Sequence, residues 1–256
     1  MDSDKHRYTV RMAENQSEVI AAQRLRYRVF VEELGGNGTL VDHQNRLERD
    51  EFDEFAKHLI LIDNDLPDDD PDRVVGAYRL MTSEDARRAG RFYSASEYDL
   101  KPLIDSGRKL LELGRSCLLP EQRGGTAMHR MWATLAGFVL SEGCEILFGV
   151  ASFHGTDAEA LAEPLSALYH KHLAPEDIRV RALPPNRIEM NRVPLEQIDS
   201  ARALKATPAL IKAYLRLGGF VGDGAWLDRE FNTIDVCLMV DTGRMNPRRK
   251  AKYTGD

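Results

Sequence analysis

The sequence predicts an α/β fold built as a single domain over residues 1–256. Segments with a strand-like pattern alternate with segments of helical period, and no linker-like stretch divides the chain. Residues 110–142 show this most clearly, since an apolar run, a glycine-containing turn and an amphipathic segment follow one another. The acidic, proline-bearing stretch at 63–72 is expected to form a loop between two strands.

The first half of the chain is predicted to contain one helix and four strands. Apolar residues recur at helical spacing over 16–33, which predicts the helix. The remaining apolar runs are short and have the length of strands. These strands are expected at Tyr8–Met12, 58–63, 73–81 and Leu110–Leu119.

The second half is predicted to contain three helices and two strands. Apolar residues of 126–142 fall on one helical face, and a further helix is expected over about 158–172. A helix that begins at Pro208 is expected to end at the glycine pair 218–219. Short apolar runs at 145–151 and 233–241 complete the strands. Residues 200–242 would thus form a C-terminal extension of helix and strand, followed by a loose tail at 243–256.

Bulk properties exclude several classes of protein. The net charge is −6, which disfavours nucleic acid as a partner. The three cysteines lack C-x-x-C spacing and favour reduced thiols in a cytoplasm. The charged N-terminus is unlike a signal peptide, and the apolar runs are shorter than the roughly 20 residues that cross a bilayer. These features predict a cytoplasmic protein.

Charged side chains interrupt the strand predicted at Leu110–Leu119. Because alternate residues of a strand share a face, Glu112 and Ser116 are expected on one face and Arg115 on the other. A carboxylate on an apolar strand is costly unless it is paired or used. We therefore interpret Glu112 as a proton acceptor that faces a cleft, with a structural salt bridge as the alternative.

The turn after this strand has the composition of a phosphate-binding site. It reads Gln122-Arg123-Gly124-Gly125-Thr126-Ala127 and leads into a predicted helix. Two glycines can adopt positive φ and let a ligand approach the backbone. The free N–H groups and the positive dipole end of the helix favour a phosphate. The alternative is an ordinary turn between a strand and a helix.

A second group of candidate residues lies closer to the N-terminus. Asp50 and Asp53 are three residues apart and could bind a cation such as an amine, unless they belong to a solvated acidic stretch. Arg79 lies within a predicted strand, as Arg115 does, and the two are candidate buried partners of Asp50, Asp53 or Glu112. His58 begins another strand, either as a structural residue or as a second base. Cys117 is a candidate acyl-carrying nucleophile, although the sequence places no base beside it.

These residues together carry a resemblance. The spacing Gln122-x-x-Gly125-x-Ala127, between a strand and a helix, is similar to the pyrophosphate-loop signature of the GNAT superfamily of N-acyltransferases. The N-terminal half also resembles acyl-homoserine-lactone synthases. The residues matching their motifs are Arg24 and Phe30, Asp50 and Asp53, Arg79, and Glu112 and Arg115. Gly36 stands where those synthases carry a tryptophan, which disfavours a lactone product.

A fuller resemblance covers residues 8 to 242. The stretches "FYSASEYDL", "LELGRSCLLPEQRGG", "FGVASFHGTD" and "LIKAYLRLGGFVGDGAWLDREFNTIDVCLMV" are similar to the bacterial ornithine–acyl-ACP N-acyltransferases. This resemblance implies a GNAT-type fold, with a mixed, splayed central sheet flanked by helices. It implies transfer of a 3-hydroxyacyl group from acyl carrier protein to the α-amine of ornithine. A related group uses glutamine, and both acceptors remain open at this point.

The residues and the resemblance together imply a role for each candidate. The proton acceptor is expected among Glu112, Asp50, Asp53 and His58. Substrate contacts are expected from Arg24, Phe30, Arg79, Arg115, Ser116 and Ser152. Phosphopantetheine contacts are expected from Leu118, Gln122, Arg123, Gly124, Gly125, Thr126 and Ala127. No metal and no separate cofactor are expected, since the phosphopantetheine arrives on acyl carrier protein.

The expected partners are acyl carrier protein and a small amino acid. Docking of an acidic carrier protein would need a local basic patch, for which the candidates are Arg87, Arg88, Arg91, Arg123, His129 and Arg130. Helix 209–217 or the basic tail at 248–252 could contact the membrane peripherally. Two rival functions are a lactone synthase and a regulator that binds acyl carrier protein without catalysis.

Overall fold

A computed structural model describes residues 7–123 and 125–245, which divide into two compact units. The first unit comprises the described residues up to 90 together with 113–143. The second unit comprises 91–112 and the described residues from 144 onward. Each unit is therefore assembled from separate segments of the chain, and the long fifth strand contributes residues to both.

The first unit is a meander of strands with helices packed on it. Its elements are β1 (Tyr8–Met12), α1 (Gln16–Arg26, continued as a π-helix over Tyr27–Glu33), β2 (Lys57–Asp63), β3 (Val74–Thr82), α2 (Ser83–Ala89), most of β5 (Leu110–Leu118) and α4 (Ala127–Glu142). β1 pairs antiparallel with β2, and β2 pairs antiparallel with β3, which adjoins β5. α4 packs on β1 and β2.

Local sequence explains the ends of α1. Asn15 caps its first turn, because the Asn15 side chain accepts a hydrogen bond from the Glu18 N–H. The helical backbone continues to Glu33, and Gly35 then adopts a φ of +75° that glycine allows at no steric cost. The prediction of one helix over 16–33 is therefore confirmed.

Tight packing in the first unit depends on a glycine of β3. A Cβ atom at Gly76 would lie 2.6 Å from Cδ2 of Leu118 and 3.0 Å from Sδ of Met131. Real Cβ atoms do not approach other atoms so closely, so only glycine fits there. Gly76 thereby lets α4 and the end of β5 pack against β3, which fixes the start of the turn that follows β5.

The second unit contains the remaining strands and helices. These are β4 (Tyr98–Asp99), α3 (Lys101–Asp105), the start of β5, β6 (Ile146–His154), α5 (Ala162–His172), β7 (Arg181–Ala182), β8 (Arg187–Ile188), α6 (Ser200–Ala206), α7 (Ala209–Arg216), β9 (Phe220–Val221), β10 (Ala225–Asp228) and β11 (Thr233–Asp241). β6 pairs with β11 over nine residue pairs, and β11 continues to β10 and then β8. β9 pairs with β11, while β4 and β7 form a separate small sheet.

The sheet of the second unit is mixed. β5 pairs parallel with β6 from Leu110–Ile146 to Glu112–Phe148, whereas β6, β11 and β10 are antiparallel. The core lies beneath these strands, where every residue of β11 is buried. The mixed sheet flanked by helices is the fold class that the sequence predicted.

Candidate active site

A buried cluster of charged side chains forms in the first unit around Arg26 of α1. The Arg26 guanidinium is about 1% exposed and donates to Oε2 of Glu48 at 2.5 Å. It also donates to both carboxylate oxygens of Asp53, each at 2.8 Å. Gln23, one turn earlier on α1, donates its amide to Asp53 at 2.9 Å. Residues three apart on a helix share a face, so α1 presents both donors to the same carboxylate.

Arginines from two strands complete this cluster. Arg79 of β3 donates to Asp50, and to Oδ1 of Asp53 at 2.9 Å. Arg115 of β5 donates to Glu48 and to Asp50, each at 3.0 Å. Three arginines therefore meet three carboxylates, and the formal charges balance within the cluster.

The arginines decide the protonation of the carboxylates. Burial alone would raise the pKa values of Asp50 and Asp53, but Arg79 and Arg115 beside Asp50, and Arg26 beside Asp53, outweigh it and lower both pKa values. Both groups are ionised and ion-paired at neutral pH, which makes them poor acceptors of a proton from an amine. These contacts favour a structural role over the proton acceptance and cation binding predicted from their spacing.

The backbone of β5 changes direction at Arg115. Its φ of +51° lies in the left-handed region, which costs about 1–3 kcal/mol for a residue with a side chain. The ion pairs of Arg115 with Glu48 and Asp50 offset this strain. The prediction that Ser116 shares a face with Glu112 assumed unbroken alternation, and that assumption is wrong here. Ser116 is half-buried.

Two predicted substrate-binding residues lie on α1 and its continuation. Arg24 is exposed and Phe30 is half-buried, so the arginine that α1 contributes to the cluster is Arg26 and not Arg24. Sequence reasoning missed both Arg26 and Glu48. Helical spacing could have identified Arg26, because it lies four residues after the fully buried Ala22.

His58 of β2 borders the cluster as a neutral ring. Its Nε2 lies 3.1 Å from the carbonyl oxygen of Asp53, which can only accept a hydrogen bond. Nε2 therefore carries the hydrogen, and Nδ1 is the basic nitrogen. Burial lowers the pKa of His58 more than Asp53 raises it, which keeps the ring neutral at pH 7.

Cys117 does not have the properties of a nucleophile. Its side chain is buried, and burial raises the pKa of the thiol to about 12. The thiol therefore keeps its proton at neutral pH, whereas nucleophilic attack requires the thiolate. The alternative in which Cys117 carries the acyl group is contradicted by this environment.

Glu112 lies in the second unit and is about 4% exposed. Its two carboxylate oxygens accept the backbone N–H groups of Tyr93 at 2.8 Å and Ser94 at 2.7 Å. These bonds anchor the turn at 93–96. Ser152, another predicted contact, is half-buried on β6.

The turn between β5 and α4 is held by Arg123. The Leu118 carbonyl oxygen accepts from Nε and Nη2 of Arg123 at 3.0 and 2.9 Å. The same guanidinium donates to the two carboxylate oxygens of Glu33, at 2.5 and 2.7 Å. The arginine predicted to meet a phosphate is thus paired with a carboxylate in this structure.

The backbone at Gly125 has space beside it. Apart from its chain neighbours, no described residue has an atom within 4 Å of a Cβ atom built at Gly125. Gly124 lies outside the described residues. Thr126 precedes α4 without a capping bond from its side chain, and Ala127 begins the helix. Gln122 donates its N–H to the Leu119 carbonyl at 2.9 Å.

A group of carboxylates that the sequence interpretation missed lies in the second unit. One oxygen each from Glu97, Asp228 and Asp235 lie within 4.8 Å of one another, and all three residues are buried. This group is named the acidic cluster below. The available signal was the spacing of Asp228 and Asp235 on either side of a short turn, which places both on paired strands.

A family model and a solved structure both indicate a GNAT-type fold. Residues 25–133 match the family model described as acetyltransferase (GNAT) domain. The chain also superposes on a solved CoA-dependent acyl-homoserine lactone synthase, BjaI, with a TM-score of 0.53 and 14% identity, covering 97% of this chain and 88% of that one. At this identity the likeness shows the fold alone.

The chain belongs to the family of L-ornithine Nα-acyltransferases. It is 58% identical over 247 residues to the L-ornithine N(alpha)-acyltransferase of Rhodobacter capsulatus, covering 96% of this chain and 95% of the relative. It is 40% identical over 246 residues to the protein of the same name from Brucella abortus, covering 95% and 88%.

Within residues 7–123 and 125–245, none of the helices combines the length and the apolar character that crossing a membrane requires.

Proposed function

We propose that this protein transfers a 3-hydroxyacyl group from acyl carrier protein to the α-amine of L-ornithine, giving lyso-ornithine lipid. The observation that carries the proposal is the 58% identity, over nearly the full length of both chains, to a protein named L-ornithine N(alpha)-acyltransferase. The name favours ornithine over glutamine, the two acceptors that the sequence left open.

The reaction is a direct aminolysis of a thioester. The amine nitrogen attacks the thioester carbonyl carbon, the new C–N bond forms, and the C–S bond breaks to release the thiol of the carrier. An α-amino group has a pKa near 8 in peptides, so much of it is protonated at pH 7 and must lose a proton before attack. Direct attack by the amine agrees with the state of Cys117. The pKa of this buried thiol is about 12, so it is not available as the nucleophile that would form an acyl-enzyme.

Glu112 is the proton acceptor in this proposal. Its carboxylate is buried, and the backbone N–H groups of Tyr93 and Ser94 hold its two oxygens in place, which orients it to accept a proton from an amine directly or through a water. His58, neutral and with Nδ1 as its basic nitrogen, is the second candidate. Asp50 and Asp53 are assigned instead to the ion pairs that hold the first unit together.

The turn after β5 is the proposed site for the phosphate of phosphopantetheine. The open approach at Gly125 and the first N–H groups of α4 support this assignment, since a helix N-terminus favours an anion. Arg123 would exchange Glu33 for the phosphate. Such an exchange keeps the guanidinium charge-paired in both states.

One competition experiment tests the proposed function. The purified protein is given 3-hydroxyacyl-ACP with equal concentrations of ornithine, glutamine and the remaining amino acids, and the products are read by tandem mass spectrometry. Acylation of ornithine on the α-nitrogen is expected. Acylated glutamine as the main product, or acyl transfer to no amino acid, would contradict the proposal. A parallel reaction with the matching acyl-CoA identifies the donor.

A pH profile tests the role of Glu112. Glu112→Gln keeps the shape of the side chain, and kcat at pH 7 is expected to fall by about 10²–10⁴-fold. Because the amine loses its own proton at higher pH, the kcat of the variant should rise steeply toward pH 9. Glu121→Gln, at an exposed position, is the control. A Glu112→Gln variant with a loss of activity that is constant with pH would indicate a structural role.

Peripheral contact with the membrane is a separate part of the proposal, because the product is an amphiphile. α7 buries Ile211 and Tyr214 and contacts β11, which leaves its exposed face, including Arg216, for such a contact. The basic tail at 248–252 lies outside the described residues. Flotation with anionic vesicles should recover the full chain, and loss of flotation after deletion of 246–256 would assign the contact to the tail.

A further inference from the structure

A row of side chains crosses three strands of the second unit on one face of the sheet. In the register of β6 with β11, Ser152 lies opposite Asp235, and in the register of β10 with β11, Trp226 lies opposite the same residue. Residues directly opposite each other in antiparallel strands extend their side chains to the same face. Ser152, Asp235 and Trp226 therefore share one face.

A second row lies next to the first. His154 and Asp228 both lie opposite Thr233, which precedes Asp235 by two residues and so shares its face. His154 is exposed, while Thr233 and Asp228 are buried. Together the two rows lead from the protein surface at β6 to the interior at β10.

Glu97 adds a third carboxylate to this interior end. It immediately precedes Tyr98, whose hydroxyl group donates to the Asp235 carbonyl oxygen at 2.9 Å and to the Gly224 carbonyl oxygen at 3.1 Å. Tyr98 thereby fixes Glu97 beside β11. In the acidic cluster that results, three carboxylates lie within 4.8 Å of one another, and none is more than 7% exposed. A cation among such groups relieves their mutual repulsion.

Two buried hydroxyl groups give independent evidence of a ligand. Among the described residues, Oγ1 of Thr233 and Oγ of Ser94 find no hydrogen-bond partner, and the two residues are only 5% and 0% exposed. Thr233 lies opposite Asp228 on the same face, so the Thr233 side chain lies next to a carboxylate of the acidic cluster. Ser94 precedes Glu97 by three residues, and its carbonyl oxygen accepts the Glu97 N–H. A buried polar group without a hydrogen bond destabilises the folded protein, and a bound ligand that supplies the bond would remove this cost.

The aromatic neighbour distinguishes between kinds of cation. Trp226 is half-buried and lies opposite Asp235, so an indole ring borders the carboxylates. An ammonium group is attracted both by carboxylates and by the face of an aromatic ring. Hard metal ions such as Mg²⁺ and Ca²⁺ take oxygen ligands and gain nothing from the ring.

We propose that the acidic cluster, with the hydroxyl groups of Thr233 and Ser94, binds a primary ammonium group of the acceptor amino acid. This inference rests on the proposed function, because ornithine carries such a group at both its α and its δ position. The electrostatics of a nearby thiol agree with it. Burial raises the pKa of Cys237 well above its ordinary value, and the negative charges of Glu112 and Glu97 raise it further. Glu97 of the acidic cluster and the proposed proton acceptor Glu112 thus both raise the pKa of the Cys237 thiol.

The test measures binding of three ligands to the full chain by calorimetry. L-Ornithine carries both ammonium groups, L-norvaline keeps only the α-ammonium, and 5-aminopentanoate keeps only the δ-ammonium. In Asp235→Asn, Kd for ornithine is expected to rise about 10- to 100-fold, while KM for the acyl donor stays unchanged. If the affinity of Asp235→Asn for L-norvaline also falls, the cluster binds the α-ammonium group. If the affinity for 5-aminopentanoate falls instead, the cluster binds the δ-ammonium group.

Two further variants separate binding from folding. Asp241→Asn removes another buried carboxylate of β11, one paired with Arg108, and is expected to leave Kd for ornithine unchanged. Thr233→Val keeps the shape of the side chain and removes the unbonded hydroxyl. It should weaken ornithine binding severalfold without lowering the melting temperature, so it keeps the proposal testable if Asp235→Asn does not fold.

Several outcomes would overturn the proposal. An unchanged Kd in Thr233→Val and Asp235→Asn, or an equal rise in Asp241→Asn, would remove the acidic cluster from acceptor binding. One equivalent of metal in the purified protein, lost from Asp235→Asn, would assign the cluster to a metal ion. Failure of the proposed function can be distinguished from failure of this inference. In the first case the wild-type protein would bind ornithine, with a Kd that depends on Asp235, but would not acylate it.

Discussion

Replacing Arg26 by methionine should destabilise the protein more than a single substitution usually does. The side chain is fully buried and holds Glu48 and Asp53 through charged hydrogen bonds. Methionine fills a similar volume, so the change mainly removes the positive charge. Two buried carboxylates then lose a shared partner. Arg79 and Arg115 remain, so the three carboxylates of the cluster share two arginines and one negative charge is left unbalanced.

The size of the effect follows from this geometry. Removing one partner from a buried ion pair typically costs about 3–5 kcal/mol, because the other charge stays buried without its counter-ion. For a chain of this length, 1 kcal/mol corresponds to about 2–4 °C in melting temperature, so the expected decrease is about 6–20 °C. Asp53→Asn in the same chain restores the charge balance, since two carboxylates then face two arginines. The double variant should therefore be about 0.5–3 kcal/mol more stable than the sum of the single effects predicts.

Urea unfolding followed by tryptophan fluorescence and circular dichroism measures these differences. The matched control is Arg24→Met, two residues earlier on the same helix, where the arginine is exposed. A surface substitution of this kind should change the unfolding free energy by no more than about 0.5 kcal/mol. A loss of less than about 1 kcal/mol in Arg26→Met, or equal losses in the two variants, would refute the view that the cluster stabilises the first unit.

Three further predictions concern protonation, thiol reactivity and the donor. Because the pKa of Asp53 is lowered on folding, its contribution to stability is complete above the unfolded-state pKa near 3.9 and is lost as the pH falls below it; urea titrations from pH 3 to 7 should show this loss, and Asp53→Asn should flatten it. Cys117 should escape alkylation in the native protein at pH 8 and react after unfolding, as read by intact-mass spectrometry, whereas rapid native alkylation would contradict its burial. Glu33→Gln should lower KM for acyl carrier protein by about two- to fivefold, by releasing Arg123. Glu32→Gln is its control, and equal effects of both would remove Arg123 from donor binding.

Much of the fold is predictable from sequence because its long elements have clear periods. The strands at Tyr8–Met12 and Thr233–Asp241 have the bounds predicted, and the helix predicted over 126–142 runs from Ala127 to Glu142. The short elements were not predicted, among them β10 at Ala225–Asp228. Four residues are too few to show a strand period in the sequence. This segment is a strand because it pairs with β11, which its local sequence does not reveal.

The candidate site was predictable in composition but not in arrangement. Asp50, Asp53 and Arg79 were expected to be partners, and their ion pairs confirm it. Their central partner Arg26 was missed. Every second residue from 24 to 28 is an arginine, and the match to the lactone-synthase motif selected Arg24, which is exposed. The acidic cluster was missed for another reason, because its residues are distant in sequence and only the strand register brings them together.

The motif Glu112-x-x-Arg115 shows why spacing alone does not fix such roles. Both residues belong to β5, yet the carboxylate of Glu112 binds the backbone of the turn at 93–96, whereas Arg115 binds Glu48 and Asp50. The left-handed backbone of Arg115 breaks the two-residue repeat of the strand immediately before the turn that leads to α4. Strain at that position is offset because two carboxylates, the buried Glu48 and the half-buried Asp50, pair with the guanidinium there. The same nine-residue strand thus supplies a proposed proton acceptor near its start and a structural cation near its end, and only their contacts distinguish the two roles.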